Sequence, residues 1–96
     1  MNVNADFDTI HNHHERAVIE AVRASARAYP HLYTELLADI ACVALNRLPP
    51  RYIRHEVDFA FYLTDRERNE NERAIAEAVS FAFEFVQARA AMRARA

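Results

Sequence analysis

Three arginines and a tyrosine lie around a pair of prolines, and their chemistry suits phosphates and flat rings. Arg47 precedes the prolines at 49–50, while Arg51, Tyr52 and Arg54 follow them. A guanidinium donates paired hydrogen bonds to a phosphate and also stacks its plane on a flat ring. A tyrosine stacks in the same way. Because the prolines stiffen the segment, less entropy is lost on binding, and these four residues are the candidate ligand-binding set.

The same residues also have a structural interpretation, which the sequence leaves open. Arg47 ends a predicted helix, where the helix dipole favours a cation. Tyr52 and the neighbouring Ile53 are apolar enough to pack in a core. Arg51 and Arg54 are also suited to pairing with acidic residues across a dimer.

Histidines near the N-terminus form the second candidate cluster. On a helix, His11 and His14 would share a face, with His13 beside them. No further ligand follows at a spacing typical of metal sites, and His31 and His55 are remote in sequence. We therefore expect a solvated helix start and no bound metal.

The cysteine, glycine and serine patterns exclude several kinds of site. Cys42 is the only cysteine, so neither an internal disulfide nor a cysteine-based zinc site can form. Its neighbours are apolar, which predicts a buried structural thiol. The chain contains no glycine, which excludes glycine-rich phosphate loops. No Ser-His-Asp order or metal motif is present, and we expect no enzymatic activity.

Length and charge indicate one small domain. The chain has 96 residues and a net charge of −2, and its 12 cations are all arginine. Residues 1–96 are expected to form a single domain, with 1–7 as a loose tail. The lack of a basic surplus argues against a nucleic acid polymer or an anionic membrane as partner. No signal peptide or membrane-spanning run is recognisable, so a cytoplasmic location is expected.

Helical periodicity predicts two helices in the first half of the chain. The first runs from about Asp8 to Ala28, with either Asp8 or an Asn12–Glu15 capping box at its start. It ends before Pro30, because proline disfavours a helical residue ahead of it. The second runs from Leu32 or Thr34 to Arg47, before the two prolines.

After the two prolines, large apolar residues recur at every second position and no longer at helical spacing. Alternating apolar side chains predict a strand at about residues 55–63. No second strand is recognisable, so we expect an antiparallel pair with the same strand of a second copy. The predicted dimer interface consists of Val57, Phe59, Phe61 and Leu63.

A long final helix is predicted from the Thr64–Glu67 capping box to about Arg93. The fold class is therefore mainly α, with three to four helices and one short strand that pairs across a homodimer. The apolar stripe of the last helix contains Ile75, Val79, Ala82 and Val86, flanked by Ala74, Ala78, Phe81 and Phe85, with Phe83 widening the arc.

The segment from Ala44 to Tyr52, ALNRLPPRY, closely resembles the signature of the late competence protein ComFB family. Asp39-Ile40 precedes it at the family's spacing, and Asn12 to Glu15 resembles the family's opening Asn-x-x-Glu. The predicted strand, the Thr64 cap and the last helix resemble the C-terminal half of the family. The resemblance covers most of residues 10–90.

The resemblance implies a small, helical, dimeric bacterial protein without enzymatic activity, linked to competence, motility or biofilm control. Some cyanobacterial members are receptors for cyclic dinucleotides such as cyclic di-GMP. Firmicute-type members carry a zinc held by cysteines, but the matching stretch here, residues 31–36, contains no cysteine. The resemblance therefore implies no zinc or other cofactor in this chain.

Together, the resemblance and the arginine cluster predict a homodimeric receptor for cyclic di-GMP, with cyclic di-AMP as second choice. The ligand would contact Arg47, Arg51 and Arg54 and stack on Tyr52. A motility, pilus or competence regulator is the expected downstream partner. The alternative function is a protein-interaction or scaffold module with no small-molecule ligand.

Overall fold

The computed structural model describes residues 6–95, which form four helices and a minimal two-stranded sheet. Two 3-10 turns, Phe7–Thr9 and Ala26–Ala28, complete the regular structure. Of the predicted loose tail at 1–7, residues 1–5 lie outside the described part, and Phe7 begins the first turn. The elements are β1 (His11–Asn12), α1 (His14–Ser25), α2 (Thr34–Arg47), β2 (Tyr52–Ile53), α3 (Glu56–Tyr62) and α4 (Asp65–Arg95).

Helices α1, α2 and α4 pack around one apolar core. Phe83, with 1% exposure, is the largest fully buried side chain, and its ring stacks on Tyr29 with centroids 4.6 Å apart. The other core residues come from all three helices, and each helix buries positions three or four residues apart, as the helical period requires. They are Val18, Val22, Ile40, Ala44, Leu48, Ala78, Val79, Ala82 and Val86.

The predicted apolar stripe of α4 is confirmed in part. Val79, Ala82 and Val86 are buried, and Phe83 joins them because positions 79, 82, 83 and 86 lie on one helix face. Phe81 and Phe85 do not share that face, and both are more than a third exposed. The wide apolar arc therefore has one buried side and one side that faces outward.

Of the two predicted starts of the first helix, Asp8 is wrong, whereas the start at Asn12 lies two residues before the observed one. The chain is extended at Ile10 and forms β1 before α1 begins at His14. No Asn12–Glu15 capping box forms among the described residues. The Asn12 side chain bonds instead to His14 and to Arg51, a partner that local periodicity does not reveal.

The predicted strand at 55–63 is also wrong, because residues 56–62 form α3. Glu56 and Asp58 lie in its first turn, where acidic side chains favour the positive end of a helix. The residue pairing of the small sheet is His11 with Ile53 and Asn12 with Tyr52, antiparallel and within one chain. Residues 56–62 are helical, so the structure does not show the strand that was predicted to pair across a dimer.

The predicted cap of the last helix is confirmed. The backbone N–H of Glu67 donates to Thr64 Oγ1 at 3.1 Å, directly at the start of α4. The first turns of α4 are charged and exposed, as expected, and Arg66 pairs with Glu70 at 3.0 Å. Within residues 6–95, no helix combines the length and the apolar character needed to cross a membrane.

Cys42 is exposed, which corrects the prediction of a buried thiol. Helix α2 buries Ile40 and Ala44, and a residue midway between them points to the opposite side. Cys42 therefore lies on the outer surface of α2 despite its apolar neighbours in sequence.

Candidate functional site

A buried amide fixes the segment that follows the two prolines. Asn12 Oδ1 accepts the N–H of His14 at 3.2 Å and the N–H of Arg51 at 3.1 Å. Next to it, the N–H of His13 donates to the carbonyl oxygen of Arg51 at 2.7 Å. These bonds hold β1 and β2 together, so the backbone at Arg51 has a defined position against the start of α1.

Three side chains of this segment, Arg51, Tyr52 and Arg54, are exposed. Tyr52 is 68% exposed, so it does not pack in the core, and Ile53 is half-buried. The Arg51 guanidinium lies over the ring of Phe59, 4.6 Å from its centroid. Arg54 Nε donates to Thr9 Oγ1 at 3.0 Å. Both arginines are exposed, and both are held by uncharged partners.

Arg47 lies at the end of α2 and contacts a different helix. Its guanidinium carbon is 3.7 Å from the ring centroid of Phe81 in α4, a close cation–π contact. Arg51 and Arg54 by contrast contact α3 and the first 3-10 turn. The structure thus places Arg51, Tyr52 and Arg54 on one short segment, and Arg47 against the aromatic side of α4.

Within the described part of the chain, none of these three arginines forms an ion pair with a carboxylate. Their supports are Phe59, Phe81 and Thr9, which the sequence analysis did not assign to the site. The sequence does not show which aromatic side chains pack against an arginine, because these contacts join residues of different helices and loops. A guanidinium that stacks through its face keeps the N–H groups along its edge available for a phosphate.

Two of the N-terminal histidines bind one carboxylate, which corrects the prediction of a solvated helix start. His11 Nε2 lies 3.1 Å from Glu56 Oε1, and His13 Nδ1 lies 3.1 Å from Glu56 Oε2. The His13 ring also contacts the Phe59 ring, with centroids 4.4 Å apart. This histidine–glutamate clasp, formed by His11, His13 and Glu56, attaches α3 to β1.

The clasp shifts two pKa values. His11 Nδ1 donates to the carbonyl oxygen of Thr9 at 2.8 Å; this bond, followed by the bond to Glu56, raises the pKa of His11. Partial burial acts to raise the pKa of Glu56, but the bonds and charges of His11 and His13 lower it overall. Both shifts favour an imidazolium facing a carboxylate.

His14, the third histidine, is separate from the clasp. It is buried in the first turn of α1. Burial lowers its pKa, as do the nearby positive charges of His13 and Arg51. Among residues 6–95, no group of three or more histidine, cysteine, aspartate or glutamate side chains is arranged to hold a metal.

A model of the late competence development protein ComFB matches residues 11–90. The chain belongs to the ComFB family. The match begins at β1 and ends within α4, so it includes the clasp, the signature segment and the core helices. Searches of curated proteins and of solved structures gave no significant match. Membership of the ComFB family indicates a competence-related regulatory protein.

The clasp predicts a pH window for the attachment of α3. Because the pKa of His11 is raised, the stability that His11 gives the clasp is complete below the ordinary histidine pKa of about 6.5. This stability is lost as pH rises through the raised pKa. Because the pKa of Glu56 is lowered, the stability that Glu56 gives the clasp is present above the ordinary glutamate pKa of about 4.5. This stability is lost as pH falls through the lowered pKa. The clasp should therefore be strongest in mildly acidic solution.

NMR titration of the His11 ring in wild type and in Glu56→Gln tests this prediction. We expect the substitution to lower the pKa of His11, because it removes the negative charge that faces Nε2. Glu70→Gln is the matched control, since Glu70 pairs with Arg66 and should leave the His11 titration unchanged. The same His11 titration curve in Glu56→Gln and wild type would contradict the clasp.

Proposed function

We propose that this ComFB protein is a non-enzymatic, homodimeric receptor for a cyclic dinucleotide, with cyclic di-GMP preferred over cyclic di-AMP. Its role would lie in competence, motility or biofilm control, through a motility, pilus or competence regulator. The proposal includes no zinc, no nucleic acid polymer and no membrane partner. One observation carries it: Arg51 and Arg54 present their guanidiniums, and Tyr52 its ring, to solvent on an anchored stretch of backbone.

The anchored backbone matters because binding loses less entropy when the site is already ordered. Arg51 is fixed through its backbone N–H and C=O, and its side chain rests on Phe59. Arg54 follows three residues later in the chain, and its Nε donates to Thr9 Oγ1. A ligand with two phosphates would meet these guanidiniums without first displacing a carboxylate of the described residues.

The exposed ring of Tyr52 lies between the two arginines in sequence and supplies a stacking surface for a base. The protein as a whole has a net charge of −2, so an anion is not attracted by overall charge. Its binding would depend on local guanidinium contacts. Substitution of a single arginine should therefore have a large effect on affinity.

Calorimetric titration with cyclic di-GMP and cyclic di-AMP tests the receptor function. A charge-assisted hydrogen bond contributes about 1.5–3 kcal/mol, so Arg51→Ala and Arg54→Ala should each weaken cyclic di-GMP binding about tenfold or more. Arg16→Ala is the matched control, because Arg16 is an exposed arginine on α1. This variant should bind cyclic di-GMP with the affinity of wild type.

Circular dichroism should confirm that all three variants are folded. If wild type gives no heat with either nucleotide at hundreds of micromolar, the receptor function is wrong. If wild type binds and the folded Arg51→Ala and Arg54→Ala variants bind equally well, the site is elsewhere on the protein.

The second candidate function, a protein-interaction or scaffold module, is favoured by the outer face of α3. Val57 and Phe61 lie four residues apart on one helix face and are 71% and 84% exposed. Helix α3 has only seven residues, which is too short to be stable alone in water. On the described part of the chain its side-chain anchors are Glu56 and Phe59, on its other side.

We place the homodimer contact on this face of α3. Of the four predicted interface residues, Val57 and Phe61 point outward, whereas Phe59 and Leu63 are half-buried against their own chain. In a two-fold dimer the same face of each copy meets, so a single exposed apolar helix face is sufficient. A scaffold module would use the same face to bind a different protein.

Analytical ultracentrifugation tests the dimer. Wild type should sediment as a dimer at tens of micromolar, and Phe61→Asp should be a folded monomer, because a charge would be buried without a partner. Met92→Asp is the control, since Met92 is an equally apolar residue, 71% exposed, on α4. A monomeric wild type, or a Phe61→Asp variant that remains dimeric, would contradict this interface.

A further inference from the structure

A mostly apolar groove lies between α1 and α2, away from the core. It has a volume of about 480 Å³, in the range of small-molecule sites. Its apolar lining is formed by Ile19 and Val22 of α1 and by Leu37, Ala41 and Leu45 of α2, which lie three or four residues apart and so follow one helix face. Ile19 is 39% exposed although it is large and apolar. The groove therefore offers an apolar surface that its own chain does not cover.

One end of the groove is polar. Arg23 lies in the last turn of α1 and Thr34 is the first residue of α2, and both line the groove. Because α1 ends at Ser25 and a short connection leads to α2, both residues belong to the same end. Among the described residues that line the groove, Arg23 is the single charged one. A cation at one end is thus followed by an apolar body.

The charge of Arg23 is not paired with a carboxylate of the described residues. Glu20, three residues earlier on α1, lines the adjoining surface together with Arg23, but the two form no ion pair. The fork of a guanidinium matches the two oxygens of a carboxylate. Covering the apolar body with an apolar chain removes both surfaces from water, which is favourable. An occupant with a carboxylate head and an apolar tail satisfies both parts of the groove.

The length of the groove sets the length of such a tail. Thr34 and Leu45 are eleven residues apart on α2, which corresponds to about 16 Å at a rise of about 1.5 Å per residue. An extended chain of single C–C bonds, each about 1.5 Å long, advances about 1.25 Å per carbon. About twelve carbons therefore span the distance from Thr34 to Leu45.

We infer that the groove between α1 and α2 binds a free fatty acid of about twelve carbons, with its carboxylate on Arg23 and its chain along α2 toward Leu45. The Thr34 hydroxyl supplies a further hydrogen-bond donor at the carboxylate end. None of the described residues that line this groove belongs to α3 or to the segment after the prolines. The inference therefore goes beyond the proposed function and does not depend on it.

Calorimetric titration with dodecanoate, kept below the concentration at which it forms micelles, tests the inference. Wild type should bind one dodecanoate per chain, and Arg23→Gln should weaken this binding about tenfold or more, because a charge-assisted bond is lost. Arg16→Gln is the matched control, since Arg16 is an exposed arginine on α1 that does not line the groove.

Two further compounds separate the head from the tail. Butanoate has the carboxylate without the long chain, and dodecyltrimethylammonium has the long chain with a positive head. Neither should bind like dodecanoate, because butanoate covers little apolar surface and the ammonium head is repelled by Arg23.

Alkylation of Cys42 by iodoacetamide supplies a readout at the groove itself. Cys42 is the only cysteine in the chain, and it is exposed and lines the groove. Bound dodecanoate should slow its alkylation, and the same dodecanoate concentration should protect Cys42 less in Arg23→Gln. Circular dichroism should confirm that both arginine variants are folded.

The inference is overturned if wild type gives no heat with dodecanoate. Equal binding of dodecanoate and dodecyltrimethylammonium, or equal affinity of wild type and Arg23→Gln, would show adsorption to apolar surface without a role for Arg23. Alkylation of Cys42 that slows as the protein concentration rises, with no ligand present, would show that a second copy covers the groove. None of these results decides whether the protein binds a cyclic dinucleotide, which is measured separately.

Discussion

The side-chain carbonyl of Asn12 connects two parts of the chain that are 39 residues apart. It is buried and accepts backbone N–H groups from both His14 and Arg51. Leaving a buried donor without an acceptor costs about 1–3 kcal/mol. Strands of two residues each are far too short to remain paired on their own. The Asn12 amide therefore stabilises a strand pairing that is too short to persist alone. It also fixes the start of α1 against the segment after the prolines.

The positions of β2 and α3 follow from the two hydrogen bonds of Asn12. β2 presents Tyr52 outward and places Arg51 beside Phe59, and α3 begins three residues after β2. The histidine–glutamate clasp then holds α3 on the β1 side, so that Val57 and Phe61 face away. The three-helix core consists of apolar side chains of α1, α2 and α4 and of the adjoining Leu48. Polar bonds position the signature segment after the prolines, whereas the apolar packing of α2 against α4 positions Arg47 over Phe81.

Periodic features of the sequence predicted much of the fold. The bounds of α2, the Thr64 cap and the core positions of α4 follow from local spacing, and the structure confirms them. The resemblance carried by ALNRLPPRY predicted the family, which the match over residues 11–90 confirms. These features depend on residues that are near one another in sequence.

The exposed Cys42 follows from local helix geometry, but the other failures come from residues whose partners are far away in sequence. A seven-residue segment that alternates apolar and polar side chains fits a strand or a short helix, and the contacts of Glu56 with His11 and His13 are not visible in its periodicity. Asn12 has the sequence context of a helix cap, but its partner Arg51 is distant. Likewise, the rings under Arg47 and Arg51 cannot be recognised before the helices are packed.

Amide hydrogen exchange at Arg51, followed by NMR, tests the central role of Asn12 most directly. In wild type the Arg51 amide should exchange slowly, because Asn12 Oδ1 accepts its hydrogen in a buried position. In Asn12→Ala the amides of Arg51 and His14 should both exchange rapidly, while the amide of Ile40 in the core stays protected. An Arg51 amide that exchanges in wild type as fast as in an unfolded chain would contradict the account.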